Sequence, residues 1–569
     1  MWEANMTDTA ALTPRDVLPA SSPLVGEDAP NFGKSAGEGA VQYETTLEHN
    51  QHPPLPQPLP REGGGVSCAA HDLIVIGAGP AGLAAAVTGS RHGLRVLLLD
   101  EQPAIGGQIY RNITGSDKRR ARILGNDYTQ GAELARLLAA STVEHWPDSA
   151  VWQVGADKSV QVLRNGISQT LRAEAIIVAT GAIERPFPIP GWTLPGVMTA
   201  GAGQVLLKSA ALIPHEPVVL AGCGPLLYLL AAQYLRAGVK PRAILDTSPR
   251  VDPRLALRHA GDMLLSWHDV AKGVGLLREI HASGVPFYRD VRELRLEGDK
   301  RLERVSFASE RQTHVLDCGL ALLHQGVVPN TQISWSLRAE HRWNDDQLCW
   351  QPVRDEWGQL SVPGIYVAGD GAAIGGARVA GLQGELAALG VAQALERRSP
   401  ANTVSRADVL RARLRRHLAI RPFLDRQYRP RDEYRIPADE VIVCRCEEVT
   451  AGAIRALVAL GCVGPNQAKS FSRCGMGPCQ GLQCGLTVTE LIAQAAGLTP
   501  QEVGYYRIRP PLKPLTLGQL AGKTIHEHEV MRLNAQDSET FFTALDQPAR
   551  FNKKLTTALK EHEQRVISE

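Results

Sequence analysis

The distribution of apolar and polar residues changes at residue 71. From there an apolar run (HDLIVI) is followed by a glycine turn, a helical stretch of small residues and a second apolar run (RVLLLD). Short apolar runs bounded by glycine are typical of buried strands. The order of strand, turn and helix recurs at 216–246, and strand-like runs ending in glycine turns lie at 175–182 and 364–373. The pattern predicts an α/β fold built from strand–turn–helix–strand units.

Residues 1–70 lack any such periodicity. They include a proline run followed by a glycine run (HPPLPQPLPREGGG, 52–65). A segment of this composition buries too little apolar surface to offset the entropy lost on ordering, so we predict that residues 1–70 are disordered. A transit peptide is the weaker interpretation, because acidic residues outnumber basic ones here and transit peptides are poor in acids.

Length and charge narrow the class of protein. At 569 residues the chain exceeds one hydrophobic core and should form about two to four domains. A net charge of +2 gives no electrostatic basis for binding nucleic acid or an anionic membrane surface. No apolar run matches the ~18 residues of a membrane span, and the N-terminus lacks a secretory signal. We therefore expect a cytoplasmic protein without a transmembrane segment, in which clustered cysteines bind metal more often than they form disulfides.

The first strand–turn–helix unit carries the pattern Gly77-x-Gly79-x-x-Gly82, with Asp100 at the end of the second strand. Gly77 permits a tight turn, Gly79 lets the backbone approach a pyrophosphate, and Gly82 lets helix and strand pack closely. The helix N-terminus then faces the phosphate, and the acid accepts hydrogen bonds from ribose hydroxyls. A glycine turn without a ligand is the alternative, but the spacing of the acid favours dinucleotide binding.

These features, together with AIIVATGA (175–182) and GIYVAGDGAA (364–373), resemble the flavoproteins with two dinucleotide-binding domains, the glutathione reductase-like fold. The resemblance implies Rossmann-type domains, FAD at the first glycine turn, and a contact from Asp370 to the ribityl and pyrophosphate groups. Taken alone, Asp370 is equally consistent with a turn residue or a helix cap. The residues expected to bind the cofactor are Gly77, Gly79, Pro80, Ala81, Gly82, Asp100, Glu101, Gly107, Gln108, Thr180, Gly181, Gly369 and Asp370.

The second copy of the pattern, at 216–246, keeps Gly222 and Gly224 but has Leu227 at the third position. A leucine there pushes the helix away from the strand and narrows the approach to a phosphate. We predict a domain that folds like a nucleotide-binding domain, and we leave open whether it binds NAD(P)H. No C-x-x-C or C-x4-C lies near the first flavin strand, so disulfide reductase chemistry is not expected.

Six of the ten cysteines lie between residues 444 and 484. Their order is Cys444-x-Cys446, then Cys462, then Cys474-x4-Cys479-x4-Cys484. Four thiolates from two loops can hold a tetrahedral zinc ion or bridge two irons. A C-x-C pair is shorter than the usual zinc spacing and favours a [2Fe–2S] cluster. Cysteines that serve only for packing are the structural alternative for the whole group.

The surroundings of the cysteines suit a negatively charged group. Arg445, Lys469 and Arg473 flank them, and a helix expected to begin near Gly485 would direct its positive end at the site. A second short helix is predicted over 449–461, between the two cysteine loops.

The metal ligands that we expect are Cys444, Cys446, Cys474 and Cys479. The choice between Cys479 and Cys484 as the fourth ligand stays open, because both belong to a C-x4-C pair. Cys462, at the end of the helix over 449–461, is expected to be an ordinary small apolar residue.

The segment from CRCEEVT to SRCGMGPCQG (444–481) resembles the bacterioferritin-associated-ferredoxin-like [2Fe–2S] domain, although its second pair is C-x4-C rather than C-x2-C. With GGQIYR (106–111), PGWTLPGVMTAGA (190–202) and HQGVVPNT (324–331), about residues 71–525 resemble one group of flavoproteins. That group is the larger FAD and iron–sulfur subunits of heteromeric amino-acid dehydrogenases and oxidases, such as the larger chains of opine oxidase, D-hydroxyproline dehydrogenase and hydrogen cyanide synthase.

The resemblance implies an electron-transfer subunit that takes electrons from an amine-oxidising partner of the D-amino-acid-oxidase type and passes them through FAD and [2Fe–2S] to an acceptor. A small ferredoxin-like subunit is a further partner in the group, and any contact with the inner membrane would be through the complex. Two alternatives stay open: a self-sufficient NAD(P)H-dependent oxidoreductase, and an iron–sulfur module on a vestigial flavoprotein. The sequence indicates no catalytic residue, since His324 stands alone at a strand end.

These motifs predict a domain organisation with a two-part FAD domain. The expected segments are a disordered extension (1–70), the first part of the FAD-binding domain (71–212), a second nucleotide-binding-like domain (213–345), the return part of the FAD domain (346–398), an Arg-rich linker (399–438), a small helical [2Fe–2S] domain (439–497) and a tail that contacts a partner (498–569).

Overall fold

The computed structural model describes residues 2–4, 71–250, 252–396 and 400–520. Apart from a short strand β1 (Trp2–Ala4), residues 1–70, for which the sequence predicts disorder, lie outside the described residues, as do residues 521–569. From residue 71 onward the described chain belongs to one compact unit. Within the described ranges, no helix combines the length and apolar character needed to cross a membrane.

The first sheet is built around β2. Its strands are β2 (His71–Ile76), β3 (Val96–Leu99), β4 (Glu144–Trp146), β5 (Ser149–Val154), β6 (Ser159–Arg164), β7 (Ile167–Val178) and β21 (Ile365–Val367). β2 pairs in parallel with β3 and with the second half of β7, and β4 and β21 extend this parallel part. β5, β6 and the first half of β7 form an antiparallel meander. The strands expected from HDLIVI, RVLLLD, AIIVATGA and GIYVAGDGAA are all present in this sheet.

The helices of this part of the chain are α1 (Pro80–Arg91), α2 (Lys118–Leu124), α3 (Asn126–Thr129), α4 (Gly131–Ala139) and α11 (Ala377–Ala394), with short 3-10 turns at Ile113–Gly115 and Gly369–Gly371. α1 and α11 are rich in small residues and pack on the first sheet. α2 and α3 instead place Leu124 and Tyr128 in the core of the second sheet. α1 and α11 approach so closely that a Cβ on Gly384 would lie 2.0 Å from the carbonyl oxygen of Ala81. This contact brings the first glycine turn beside the turn at 369–371.

The second sheet is entirely parallel, in the order β13-β12-β11-β17-β9. Its strands are β9 (Val197–Thr199), β11 (Val218–Cys223), β12 (Ala243–Asp246), β13 (Phe287–Tyr288) and β17 (Leu320–Gln325). A separate antiparallel sheet follows in the same region, with β14 (Arg292–Glu297), β15 (Arg304–Ser309) and β16 (Gln312–Asp317). Because β9 pairs with β17, the second sheet takes in residues that precede the boundary expected at 213.

Helices and short strands surround and connect the two sheets. The helices are α5 (Ala200–Ala210), α6 (Pro225–Arg236), α7 (Pro253–Arg258), α8 (Ala260–Leu265), α9 (Trp267–Ala282) and α10 (Gln332–Ser336). The remaining strands are β8 (Ala182–Glu184), β10 (Leu212–Pro214), β18 (Val327–Pro329), β19 (His341–Asn344) and β20 (Cys349–Pro352). The antiparallel pair β8–β18 carries the chain out of the first sheet and back towards it.

The C-terminal part of the described chain is helical. Its elements are α12 (Pro400–Leu418), α13 (Arg421–Gln427), α14 (Asp432–Arg435), β22 (Ile442–Cys444), β23 (Val449–Thr450), α15 (Ala451–Ala459), α16 (Pro465–Ser472), α17 (Gly485–Ala496) and α18 (Pro500–Val503). α12 buries Ala407 and Leu410 against α11, so the Arg-rich linker is partly packed. The core around α15 and α17 includes Tyr506 and Ile508, which extends this domain past residue 497. We call residues 439–508 the cysteine domain.

Candidate cofactor sites

The turn after β2 requires glycine at two positions for steric reasons. Gly77 has a φ of +105°, and a Cβ there would lie 2.6 Å from the carbonyl oxygen of Ala179. A Cβ on Gly82 would lie 1.7 Å from the carbonyl oxygen of Gly77. Any side chain at Gly77 would block the tight turn, and any side chain at Gly82 would prevent the close packing of helix on strand. These are the roles that the sequence predicts for the two glycines.

Gly79 differs, because the space beside it is open. It precedes α1, where no side chain caps the helix, and a Cβ there would meet only the Cα of Gly107, at 3.8 Å. A Cβ on Gly107, in contrast, would lie 2.8 Å from the Cα of Gly79, so the GGQ loop packs directly beside the turn. Pro80 and Ala81 begin the helix, whose first amides are left for a ligand. A dinucleotide pyrophosphate fits this cradle.

The two acids after β3 have different environments. Asp100 is buried and accepts hydrogen bonds from the amides of Ala78, at 2.5 Å, and Gln102, at 2.7 Å. Burial raises the pKa of Asp100, although these two amides act in the opposite direction. Glu101 is exposed and forms an ion pair with Lys513, with 2.7 Å between Nζ and Oε2. Asp100 therefore braces the glycine turn, and Glu101 is the acid with an exposed carboxylate.

Two further turns meet at the end of the first sheet. Gly369 has a φ of +76°, and its Cβ would lie 2.8 Å from that of Ala81. The turn at Thr180–Gly181 lies beside Gly371, whose Cβ would be 3.2 Å from the Gly181 carbonyl oxygen. Oδ1 of Asp370 accepts from the amides of Gly375 and Gly376, at 2.8 and 2.9 Å. Asp370 thus shapes the loop before α11, which leaves its Oδ2 for a ligand.

A buried lysine near Gln108 was not indicated by the sequence. Nζ of Lys208, on α5, donates to the carbonyl oxygen of Gln108 at 3.0 Å and to Oε1 of Gln204 at 2.8 Å. Burial lowers the pKa of Lys208 to about 7. The available signal was a lysine within the otherwise apolar and small α5 sequence (AGAGQVLLKSA), but its burial depends on packing between the two sheets' domains.

The second glycine turn has a different backbone from the first. Gly222 and Gly224 both have positive φ, +136° and +108°, whereas Gly79 has a φ of −75°. Leu227 is fully buried in the core beneath α6. Asp246 ends β12 at the position that corresponds to Asp100, but its carboxylate accepts from the hydroxyl of Tyr228 at 2.8 Å. The second domain therefore has the predicted nucleotide-binding-like fold. Its glycine turn, however, has a different backbone conformation, and its acid, Asp246, is already hydrogen-bonded to Tyr228.

Five cysteines of the cysteine domain form two sulfur clusters. The sulfur atoms of Cys444, Cys474 and Cys484 lie within 4.8 Å of one another, and all three side chains are buried. Cys446 and Cys479 form a second, more exposed pair with their sulfurs 3.6 Å apart. The four cysteines expected as ligands are thus divided between the two clusters: Cys444 and Cys474 lie with Cys484, and Cys446 lies with Cys479.

The sixth cysteine of this region lies apart from the group. Cys462 is buried in the domain core and directs its sulfur to the carbonyl oxygen of Gly464, at 3.4 Å. Its placement matches the packing role that the sequence suggests. The helix before it, α15, lies within the predicted range 449–461, and the side chain of Thr450 caps its N-terminus.

The pKa values of the three buried thiols depend on one another, because the three sulfurs interact directly. Hydrogen bonds from Cys474 and Cys484 lower the pKa of Cys444 to about 2. The same interaction raises the pKa of Cys474 to about 12 and that of Cys484 well above its ordinary value. The group therefore holds one thiolate readily, and further ionisation needs a bound cation to offset the charge.

The neighbours of the sulfurs include a tyrosine that the sequence did not indicate. The hydroxyl of Tyr506 donates to Sγ of Cys474 at 3.4 Å and lies 4.0 Å from Sγ of Cys484. Glycines make room for its ring, because a Cβ on Gly475 or Gly481 would lie 2.6 or 2.5 Å from ring atoms. The only signal was the pairing of two glycines within the cysteine motif.

The expected positive charges are only partly directed at the sulfurs. Cys484 is the N-cap of α17, so the positive end of this helix does face the group. Arg473, however, donates to Glu447 at 2.9 Å, and the guanidinium of Arg445 stacks over Trp192 at 5.2 Å. Lys469 lies 5.7 Å from the ring centre of Tyr506.

The cysteine domain packs on the end of the flavin domain. Leu486, two residues after Cys484, shares a small apolar core with Val328 and Trp350. Next to this core, the amide of Asn330 donates to the carbonyl oxygen of Gly181 at 3.0 Å. Tyr505 stacks on Trp335, with 5.3 Å between ring centres. A short packed path therefore joins the sulfur group to the Thr180–Gly181 turn.

Three family models match parts of this chain. A family model described as pyridine nucleotide-disulphide oxidoreductase matches residues 71–394, and one described as the sarcosine oxidase A3 domain matches residues 439–523. A model described as antitoxin TacA 1-like matches residues 487–564 and overlaps the second. The chain is an oxidoreductase with the flavoprotein fold predicted from its sequence.

Individual relatives narrow this class. The A subunit of opine oxidase from Agrobacterium tumefaciens (strain Ach5) is 46% identical over 461 residues, which are 79% of this chain and 91% of that protein. The HcnB subunit of hydrogen cyanide synthase from Pseudomonas aeruginosa is 31% identical over 460 residues, 78% of this chain and 96% of that protein. The chain belongs to the family of the opine oxidase A subunits, which confirms the resemblance seen in its motifs.

A solved structure supports the fold. L-proline dehydrogenase from P. horikoshii superimposes with a TM-score of 0.57 at 18% identity, over 79% of each chain.

Proposed function

We propose that this chain is the FAD- and [2Fe–2S]-containing electron-transfer subunit of a heteromeric amino-acid or opine dehydrogenase. The observation behind the proposal is that five cysteine sulfurs, in a cluster of three and a pair, lie in the domain that packs beside the flavin turn. The relatives are themselves named as subunits, of opine oxidase and of hydrogen cyanide synthase. A bound flavin takes up two electrons and a bound cluster transfers one at a time, which suits a relay between unlike donors and acceptors.

The first glycine turn is the proposed FAD site. Gly77 and Gly82 shape the turn, and the free amides at the start of α1, beyond Gly79, bind the pyrophosphate. Glu101 holds the ribose from its exposed position, and Asp100 keeps the turn closed beneath it. Oδ2 of Asp370 reaches the ribityl side of the cofactor.

The proposed cluster ligands divide into two pairs. Two thiolates on one tetrahedral metal ion lie ~3.8 Å apart when each metal–sulfur bond is ~2.3 Å. Cys446 and Cys479, at 3.6 Å, already meet this condition. Cys444 supplies the third sulfur, and one of the two buried neighbours, Cys474 or Cys484, supplies the fourth. The remaining thiol stays as a hydrogen-bonding neighbour of the cluster.

The amine-oxidising chemistry belongs on another subunit. Among the described residues we assign no side chain of the first glycine turn or of the two sulfur clusters as a carboxylate clamp or general base for an amine. We therefore propose a D-amino-acid-oxidase-like flavoprotein partner that oxidises an opine, amino acid or similar amine, and a small ferredoxin-like subunit in the same cytoplasmic complex. The names of relatives such as opine oxidase and the alpha chain of sarcosine oxidase support a substrate of this type.

Co-expression tests this proposal directly. The chain is produced with and without the products of its neighbouring genes, and dye reduction is measured with opines, D-amino acids, hydroxyproline and sarcosine. Activity should appear only in the complex. Cys446→Ser should abolish dye reduction while the substrate still bleaches the partner's flavin, whereas Cys462→Ala, the matched control, should keep activity. Amine oxidation by the isolated chain would contradict the assignment.

A further inference from the structure

The carboxyl ends of the second sheet are covered by the chain itself. After α13 the linker turns and runs through residues 427–435 across this edge, touching every central strand or the loop that follows it. We call residues 427–435 the linker segment. In open α/β sheets this edge is where a dinucleotide binds.

On the side of β11 and β12, the linker segment bonds to the loops that would surround an adenosine. The sulfur of Cys223, inside the second glycine turn, lies 3.5 Å from the carbonyl oxygen of Tyr428. Nε of Arg431 donates to the carbonyl oxygen of Thr247, just past β12, at 2.9 Å. The amide of Gln427 donates to the carbonyl oxygen of Pro249 at 3.1 Å.

On the side of β17 and β13, hydrogen bonds and an ion pair also hold the linker segment in place. The side-chain amide of Gln325, the last residue of β17, donates to the carbonyl oxygen of Tyr434 at 3.1 Å. The hydroxyl of Tyr434 donates to the carbonyl oxygen of Val291 at 3.0 Å, and Arg431 forms an ion pair with Asp290. Tyr434 and Arg435 are almost completely buried, so the linker segment is part of the packed structure.

The residues that would recognise a nucleotide are engaged as well. The ring of Tyr428 packs edge-on against that of Tyr228, with 6.0 Å between their centres. Tyr228 in turn bonds to Asp246, the acid in the ribose position. Arg435 pairs with Glu490 on α17, so the end of the linker segment is tied to the cysteine domain.

We propose that the linker segment permanently occupies the second dinucleotide crevice and makes this protein unable to use NAD(P)H as electron donor. Tyr428 and Arg431 are the specificity-determining residues, because they fill the space above the second glycine turn and the end of β12. The inference concerns the donor in the proposed function, but it does not depend on the iron–sulfur cluster or on a partner. Its failure would leave metal content and partner-dependent activity unchanged.

The test uses the FAD-loaded full chain and two readouts. NADH, NADPH and ADP at millimolar concentration should show no saturable binding to the wild type, and NADH should not bleach its flavin. Alkylation of Cys223, followed by peptide mass spectrometry, reports whether the crevice is covered. Cys223 should be protected in the wild type and labelled roughly tenfold faster or more in Tyr428→Ala/Arg431→Ala.

Two controls make the labelling specific. Arg426→Ala removes an exposed arginine of the same linker and should leave Cys223 protected. Cys318, buried elsewhere in the same domain, should stay unlabelled and so exclude general unfolding. Saturable NADH binding or flavin bleaching in the wild type would overturn the proposal. Equal labelling of Cys223 in the wild type and the double variant would overturn it too.

Discussion

Two alanine substitutions in the first glycine turn should separate an effect on the stability of the fold from an effect on FAD binding. A Cβ on Gly82 would lie 1.7 Å from the carbonyl oxygen of Gly77, so helix and strand must separate. Overpacking typically costs about 1–3 kcal/mol, and a contact this short with the backbone should reach the upper end of that range. A Cβ on Gly79 meets nothing closer than 3.8 Å, and its φ of −75° suits any residue. Gly79→Ala should therefore change the free energy of unfolding of the FAD-free chain by less than about 1 kcal/mol.

Gly79→Ala should instead act on FAD binding. The Cβ of Gly79→Ala enters the open space proposed for the pyrophosphate, and a steric penalty of about 1–3 kcal/mol weakens FAD binding by roughly ten- to hundredfold. Thermal unfolding of the FAD-free proteins and FAD titration followed by flavin fluorescence give the two quantities. A Gly79→Ala protein that binds FAD as tightly as the wild type would refute the placement of the cofactor.

Three further substitutions test individual residues. Tyr506→Phe removes the hydroxyl that donates to Sγ of Cys474. Because hydrogen bonds to the sulfurs stabilise a reduced cluster, the reduction potential measured in a dye titration should fall while the iron content stays the same. An unchanged potential would contradict this role of Tyr506. The pKa of Lys208 is lowered from 10.5 to about 7, so the unfolded chain binds more protons between these values and the free energy of unfolding should rise with pH by on the order of 5 kcal/mol. Lys208→Met should remove this rise in calorimetry between pH 7 and 10.5, and equal slopes would argue against the shift. Cys462→Ala should retain all metal, because its sulfur faces Gly464; loss of iron would make it a ligand.

The parts predicted well from the sequence depend on contacts between residues close together in the chain. The spacing from Gly77 to Asp100 reflects one strand–helix–strand unit, and the structure shows that unit. The helices at α15 and α17 follow from a local cap at Thr450 and from the apolar run after Cys484. Each of these signals lies within the same strand–helix–strand unit, or the same helix, as the residues that it affects.

What the sequence could not give depends on packing between distant segments. Asp100 accepts a hydrogen bond from the Ala78 amide, whereas Glu101 is exposed. The motif alone does not show which of these two acids faces a ligand. Lys208 is buried only because α5 packs against the loop around Gln108. The approach of Cys484 to Cys444 joins segments 40 residues apart, and spacing could not choose between Cys479 and Cys484. The linker segment reaches the second sheet across roughly 200 residues of sequence.

Metal analysis of the purified full chain decides whether the cysteine domain binds a [2Fe–2S] cluster. Elemental analysis together with electron paramagnetic resonance after dithionite reduction identifies the metal and its form. We predict about two irons and two acid-labile sulfides per chain, with a [2Fe–2S] signal that Cys446→Ser removes. Stoichiometric zinc, or a chain whose five clustered cysteines bind no metal when it is purified without oxygen, would contradict it.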